Sequence, residues 1–185
     1  MTGSRKRSAG RPPARPVDPT LFRNLMARWA TGVSVVTTSE HGQDFGLTVN
    51  ALLSVSLSPP SLLVSVTRDA DSTPVIRRTE RFGVNVLAYD QRSVSERFAQ
   101  MIKPSEKFLG IELTRGAHDV PLLPGVVSAF ECRVARTADW EDHVLIIGEV
   151  ETAHTGRDVP PLVFYHSGYA EAEPPDKLWL PPRRH

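Results

Sequence analysis

The sequence predicts a mainly β protein, an antiparallel barrel with helices on its rim. Two observations carry this reading. Strand-like runs outnumber helical ones, and they follow one another as successive hairpins rather than alternating with crossover helices. The longest run, Phe45 to Val66 (FGLTVNALLSVSLSPPSLLVSV), also alternates small polar residues (Thr48, Asn50, Ser54, Ser56) with apolar ones (Leu47, Val49, Val55, Leu57). Alternation of this kind gives one face that packs on a core and one that offers hydrogen bonds.

Taken in order, residues 1–17 (MTGSRKRSAGRPPARPV) have almost nothing to bury and read as a disordered basic tail. Asp18-Pro19 opens a helix, with Asp as N-cap and Pro in the first turn. Leu21, Phe22, Leu25, Met26 and Trp29 then recur at helical spacing, and Gly32 is the expected stop. Val33 to Thr38 is a β-branched strand, turned at His41-Gly42 into the Phe45 stretch, so the two should form an antiparallel hairpin. Proline cannot continue a sheet ladder, so Pro59-Pro60 should break that stretch into two strands, with Ser61 to Val66 a fully apolar second one.

Beyond it, Ser72 or Thr73 is placed to cap a short helix with Pro74 in its first turn. Phe82 to Ala88 reads as a strand, Asp90 as the start of a helix bearing Val94 and Phe98 on one face, and Lys103 to Gly110 as an irregular loop. Val126 to Thr137 and His143 to His154 should pair as a hairpin across ADWED. Leu162 to His166 is the last expected strand, with Tyr169 just after it. The barrel domain is therefore expected over 18–173, and 174–185 as a Pro-rich tail.

Composition narrows the function. A chain of 185 residues, 40% hydrophobic, has material for one domain with a substantial core. Arg5, Lys6, Arg7, Arg11, Arg15, Arg183 and Arg184 lie in the tails; without them the net charge of +1 becomes −6 on residues 18–182. A mildly acidic body argues against nucleic-acid binding. No apolar run reaches membrane-spanning length and no apolar segment follows the basic N-terminus, so the expectation is a soluble cytoplasmic protein with no membrane partner. The single cysteine, Cys132, permits no intrachain disulfide and reads as a small core residue. The six histidines lack metal-ligand spacing, and no metal is expected. A hydrolase nucleophile elbow, a P-loop and a dinucleotide-binding glycine fingerprint are all absent from the sequence.

The segments ATGVSVVTT, GLTVNALLSVSLSPPSLLVSV, FGVNVLAYDQ, EKF, ECRV and EDHVLIIGEV, in this order over residues 20–170, resemble the flavin reductase family. Its members are the small reductase components of two-component flavin-dependent monooxygenases. The resemblance implies a Greek-key-like split barrel of the FMN-binding type, usually a homodimer, that binds FMN or FAD and passes hydride to it from NADH or NADPH. It implies that Leu47, Thr48, Val49, Asn50 and Ala51, then Ser54, Val55 and Ser56, line the flavin. Ser72 and Thr73 fall in the family's phosphate-side region, Lys107-Phe108 matches its Lys-Phe pair near the cofactors, and Tyr169 joins the cofactor-binding set. His143 lies where the family places a histidine beside the nicotinamide; Glu141 stands in place of the glycine two residues before it, and Ala51 in place of a frequent serine.

Elementary chemistry agrees. A flavin presents a flat apolar ring, a hydrogen-bonding pyrimidine edge and a phosphate, which a polar strand face and the free N–H groups of a helix start can meet. Hydride transfer needs no acid or base, only close stacking of donor and acceptor, so positioning should be most of the catalysis. The alternative is a non-enzymatic barrel that keeps flavin as a bound electron carrier.

Overall fold

The computed structural model describes residues 15–173. Both expected tails, save residues 15–17 of the first, lie outside the described residues.

Helix α1 (Pro19–Met26) is capped as its sequence dictates, the Leu21 amide donating to Asp18 Oδ1 at 2.9 Å. It ends well before Gly32, because Thr31–Gly32 is drawn into a short strand, β1. Strands β2 (Ser34–Glu40) and β3 (Gln43–Val49) form the expected hairpin. Their turn places His41 at φ 51° and Gly42 at φ 77°, the two positive angles that match strand twist in a two-residue loop.

The Phe45 stretch holds three strands rather than two. β3 ends at Val49, β4 (Leu52–Leu57) follows after Asn50-Ala51, and β5 (Pro60–Thr67) pairs back on β4. Pro60 itself opens β5 opposite Leu57, a first-strand position where a missing N–H costs nothing. β5 is not uniformly apolar in its environment: Leu62, Val64 and Val66 are buried while Ser61, Leu63 and Ser65 alternate with them in partly exposed positions.

Helix α2 (Ser72–Thr79) has Asp71, not Ser72 or Thr73, at its cap position, and no side chain caps it. β6 is Arg81–Val86 and α3 is Arg92–Ala99, preceded by Gln91 rather than Asp90; the Asp90 carboxylate is taken by Arg157 at 2.8 Å. The segment expected as a loop contains a one-turn helix, α4 (Pro104–Lys107), with Pro in its first turn. Two short strands, β7 (Thr114–Arg115) and β8 (Pro121–Leu122), follow. β9 (Ser128–Trp140) and β10 (His143–Thr155) are longer than expected and leave only Glu141-Asp142 as their turn. β11 (Leu162–Tyr165) is followed by an unexpected strand, β12 (Gly168–Glu171).

All strand pairs are antiparallel, and the main sheet runs β3-β2-β6-β9-β10-β5-β4. Its two edge strands, β3 and β4, are consecutive in the chain. The sheet curls until its edges are joined only by Asn50-Ala51, where the Ser65 amide donates to the Ala51 carbonyl at 3.1 Å. Inside the curl lie Val36, Leu47, Val49, Leu62, Val64, Val66, Phe82, Val84, Cys132, Val144 and Ile146, with Ile76 of α2. A second apolar layer, including Val33, Val35, Leu87, Phe98, Phe108 and Leu162, packs the outer face of β2 and β6 against α3, α4 and the 111–126 connection. Val35 and Val36 belong to different layers, as strand alternation requires. Buried Asn85 ties the outer layer down: its Nδ2 donates to the Val35 carbonyl, and its Oδ1 accepts from the Leu123 amide at 2.8 Å.

Candidate active site

Seven of the residues singled out by sequence fall into two groups. The first surrounds α3. Thr48, on the outer face of β3, donates its hydroxyl to the Ser95 carbonyl at 2.7 Å. Ser95 Oγ lies 2.9 Å from the Tyr169 hydroxyl of β12. Lys107 donates to the carbonyls of Gly46 (3.2 Å) and Phe98 (3.1 Å), fastening α4 to β3 and α3. Phe108 meets Phe98 edge-on at 4.9 Å. Both rings cover Gly46, where an added Cβ would come within 2.7 Å of Phe98. Burial lowers the pKa of the Lys107 ammonium, opposed by the Asp71 carboxylate at the start of α2.

The second group gathers where β5 ends, β10 begins and α2 starts. The Thr73 hydroxyl donates to the Thr67 carbonyl at 2.7 Å, and His143 stands opposite Thr67 in the β5–β10 register. Ser72 is 2% exposed, and its hydroxyl has no partner among the described residues. The Asp71 carboxylate before Ser72 acts through its charge on the Lys107 ammonium of the first group. Glu141 adopts φ 47°, so the turn keeps the left-handed conformation that a glycine would take freely. A non-glycine residue there costs roughly 1–2 kcal/mol. His143 Nδ1 lies 2.8 Å from Asp142 Oδ1, and that contact holds the Asp142 carboxyl below its ordinary range. An ionised carboxylate only accepts, so the Nδ1–H donates, and in the neutral ring Nε2 is left as the acceptor.

The remaining candidates differ in what they offer. Leu47 and Val49 point into the barrel, so only their backbone can serve a ligand; β3 is an edge strand, and half its backbone groups have no ladder partner. Asn50, Ala51, Ser54 and Val55 are exposed along the seam, Val55 lying within the β4 irregularity. The Ser56 hydroxyl accepts from the Ser58 amide and braces the turn before β5. Ser95 and Gly46 carry the arrangement but were not singled out by sequence. Their signal was slight: Ser95 lies three residues before Phe98, on the same buried helix face.

Residues 26–173 match the model of the flavin reductase like domain. The chain belongs to this family. The reductase subunit HsaB of a flavin-dependent monooxygenase from Rhodococcus jostii is 33% identical over 161 residues, covering 87% of this chain and 82% of that protein. SmoA of Agrobacterium fabrum, an FMN reductase (NADH), is 38% identical over 144 residues, 77% of this chain and 80% of its own. Among solved structures, the NADH:FAD oxidoreductase of Streptomyces globisporus in complex with NAD and FAD fragments superposes with a TM-score of 0.80 at 30% identity. That match covers 89% of this chain and all of the other. The fold is thus the split barrel of the family, as its motifs implied. Two surface clefts of about 360 and 330 Å³, lined by Arg97 and Glu106 and by Val94 and Ile111, include none of the candidate residues.

Proposed function

We propose that this chain, a flavin reductase that takes hydride from a nicotinamide nucleotide, holds its flavin along the β3–β4 seam with the phosphate at the start of α2. The observation that carries this placement is Ser72. A buried hydroxyl without a partner is costly, and it sits in the first turn of a helix with no side-chain cap, beside Thr73. A phosphate is the ligand such a site satisfies. The residues fit the rest of a flavin nucleotide: the unpaired edge of β3 and exposed Asn50 and Ser54 suit the hydrogen-bonding rim of the ring.

When bound, flavin supplies the hydride acceptor. The protein supplies position. Thr48, Lys107 and Phe108 hold β3 rigidly on α3 and α4, and His143 presents Nε2 to the nicotinamide side, its ring fixed by Asp142. NADH is the nucleotide of SmoA and of the Streptomyces globisporus oxidoreductase, and a separate flavin-dependent monooxygenase is the fitting consumer of the product, as for the HsaB subunit.

A second copy of the chain completes the site. Asn50, Ala51, Ser54 and Val55 lie on an open seam with Leu53 and Leu57, and the α1 segment also carries exposed apolar side chains. Leu57 is 89% exposed, Trp29 69% and Phe22 59%, with Leu21, Leu25, Leu53 and Val55 also open. Surface of this kind is what a homodimer covers.

The test is anaerobic mixing of purified protein with FMN, FAD or riboflavin and each nicotinamide, following nucleotide oxidation. Turnover with at least one pair is expected; none with any pair overturns the reading. Light scattering should give a dimer, and Leu25→Glu should give a monomer with weakened flavin binding. A wild-type monomer at micromolar concentration refutes the completed site.

A further inference from the structure

We propose that Ser95 is a positioning residue for flavin reduction: from within α3 it couples Tyr169 on β12 to Thr48 on β3, holding two walls of the cofactor site at one spacing. This rests on the placement of flavin along β3.

Ser95 is fully buried, which is unusual for serine unless its polar atoms are engaged. Both of them are. The hydroxyl meets the Tyr169 hydroxyl at 2.9 Å, and the carbonyl accepts the Thr48 hydroxyl at 2.7 Å. The two bonds leave the same residue toward elements 121 positions apart in the chain (Thr48 to Tyr169), and no strand ladder connects them: β3 is an edge of the main sheet while β12 belongs to the sheet β1-β11-β12.

The remaining surroundings of Tyr169 make it a fixed point rather than a free side chain. Its ring meets Phe164 edge-on at 5.7 Å, and the Arg92 guanidinium lies 5.3 Å from its centroid, itself held by Glu96 at 2.8 Å. On the other side, Lys107 fixes the Gly46 carbonyl two residues before Thr48. β3 is therefore bolted to α3 at Gly46 and Thr48, and the Ser95 hydroxyl, beside the Arg92–Tyr169 contact, extends that attachment to β12. Hydride transfer is sensitive to misplacement by an ångström or less, so a residue that touches neither reactant can still govern the rate.

A double-mutant cycle in the full chain tests this, with FMN as probe and three readouts: FMN dissociation constant, kcat with KM, and melting temperature. Ser95→Ala and Tyr169→Phe each remove one partner of the same hydrogen bond. Each should weaken FMN binding about 2- to 12-fold, the worth of one neutral hydrogen bond. The double variant should be no worse than either single, because the interaction is lost once. Thr48→Val, which cuts the other bond, should weaken FMN to a similar degree. KM for NADH should stay unchanged throughout. Unchanged FMN affinity in the singles, with or without a lower melting temperature, overturns the proposal and leaves Ser95 structural. Multiplying effects in the double variant overturn it as well. Absence of flavin binding by the wild-type chain overturns the placement on which the proposal stands, an outcome distinct from both.

Discussion

The barrel interior and the β3–β4 seam are built from the same alternating strands, yet they behave oppositely. In the interior, Val36, Val64, Phe82, Val84, Val144 and Ile146 are entirely covered, and in the layer packed on its outer face buried Thr37 and Asn85 spend their hydrogen bonds within the chain. Along the seam, Leu53, Val55 and Leu57 face outward beside Asn50 and Ser54. The sheet has two edges that meet through a two-residue link and never pair. The comparison separates what holds the protein together from what it offers to others: stability resides in the first region and the proposed recognition in the second.

The interior should therefore respond through stability alone. Phe82→Ala is the largest effect expected. The ring is fully buried and fills the space over Gly148, where even an added Cβ would come within 2.5 Å of it. Its loss should cost about 3–5 kcal/mol, a large part of a typical domain's stability. A denaturant titration reads this directly. Flavin affinity of the protein that remains folded should change little; a comparable loss of affinity at full folding would break the separation.

Cys132 sharpens it from the chemical side. Burial first, then the Glu151 and Glu131 carboxylates, push its thiol up to about 12 from an ordinary 9.0. The fold thus favours the neutral thiol. That contribution is fully present below the unfolded pKa near 9 and is lost as pH rises toward 12, where the unfolded chain ionises first. Stability should decline over this window by up to about 1.4 kcal/mol per pH unit, and Cys132→Val should flatten the decline. At neutral pH the thiol should resist alkylation until the protein unfolds. Rapid labelling of the native protein would contradict its place in the core.

At the seam the direction reverses. Ser72→Ala removes an unsatisfied buried hydroxyl, so the melting temperature should hold or rise. If the hydroxyl serves a phosphate, FMN affinity should fall about 10-fold or more, since hydrogen bonds to charged groups are worth roughly twice neutral ones. Riboflavin, which has no phosphate, should bind as before. Equal loss for riboflavin and FMN would take the phosphate away from α2.

The hairpins were legible because turn residues mark them: His41-Gly42 needs two left-handed residues, and Asn, Gly or His supply them at low cost. The break at Asn50-Ala51 was not, because neither residue forbids a strand; only closure of the sheet decides where β3 must leave it. β12 and α4 escaped because four residues carry too little periodicity to read. The apolar spacing of α1 announced the helix, yet among the described residues nothing buries Leu21, Phe22 or Leu25. Side-chain partners are a tertiary matter, so the sequence could single out Ser72 but not that its hydroxyl is orphaned, and the Ser95 connections were not legible. The Thr48 face was read from strand alternation and Cys132 from the usual burial of a small thiol.

The smallest expected effect is also the most discriminating, and it concerns His143. The ring stands at the rim where β10 begins, 41% exposed, and its Asp142 partner is 88% exposed. A pair this open contributes little to stability, so His143→Ala should leave the melting temperature nearly unchanged. If Nε2 meets the nicotinamide, KM for NADH should rise about 2- to 12-fold, the range for one neutral hydrogen bond, with flavin affinity intact. Asp142→Asn keeps the ring but weakens the contact that orients it, so its effect should run in the same direction and be smaller. A fall in kcat with KM unchanged would mean that the ring aligns the nicotinamide only as hydride leaves, which still keeps it in the site. Unchanged constants for NADH and NADPH, with an unchanged melt, would leave His143 as a rim residue and shrink the recognition region to the seam and the start of α2.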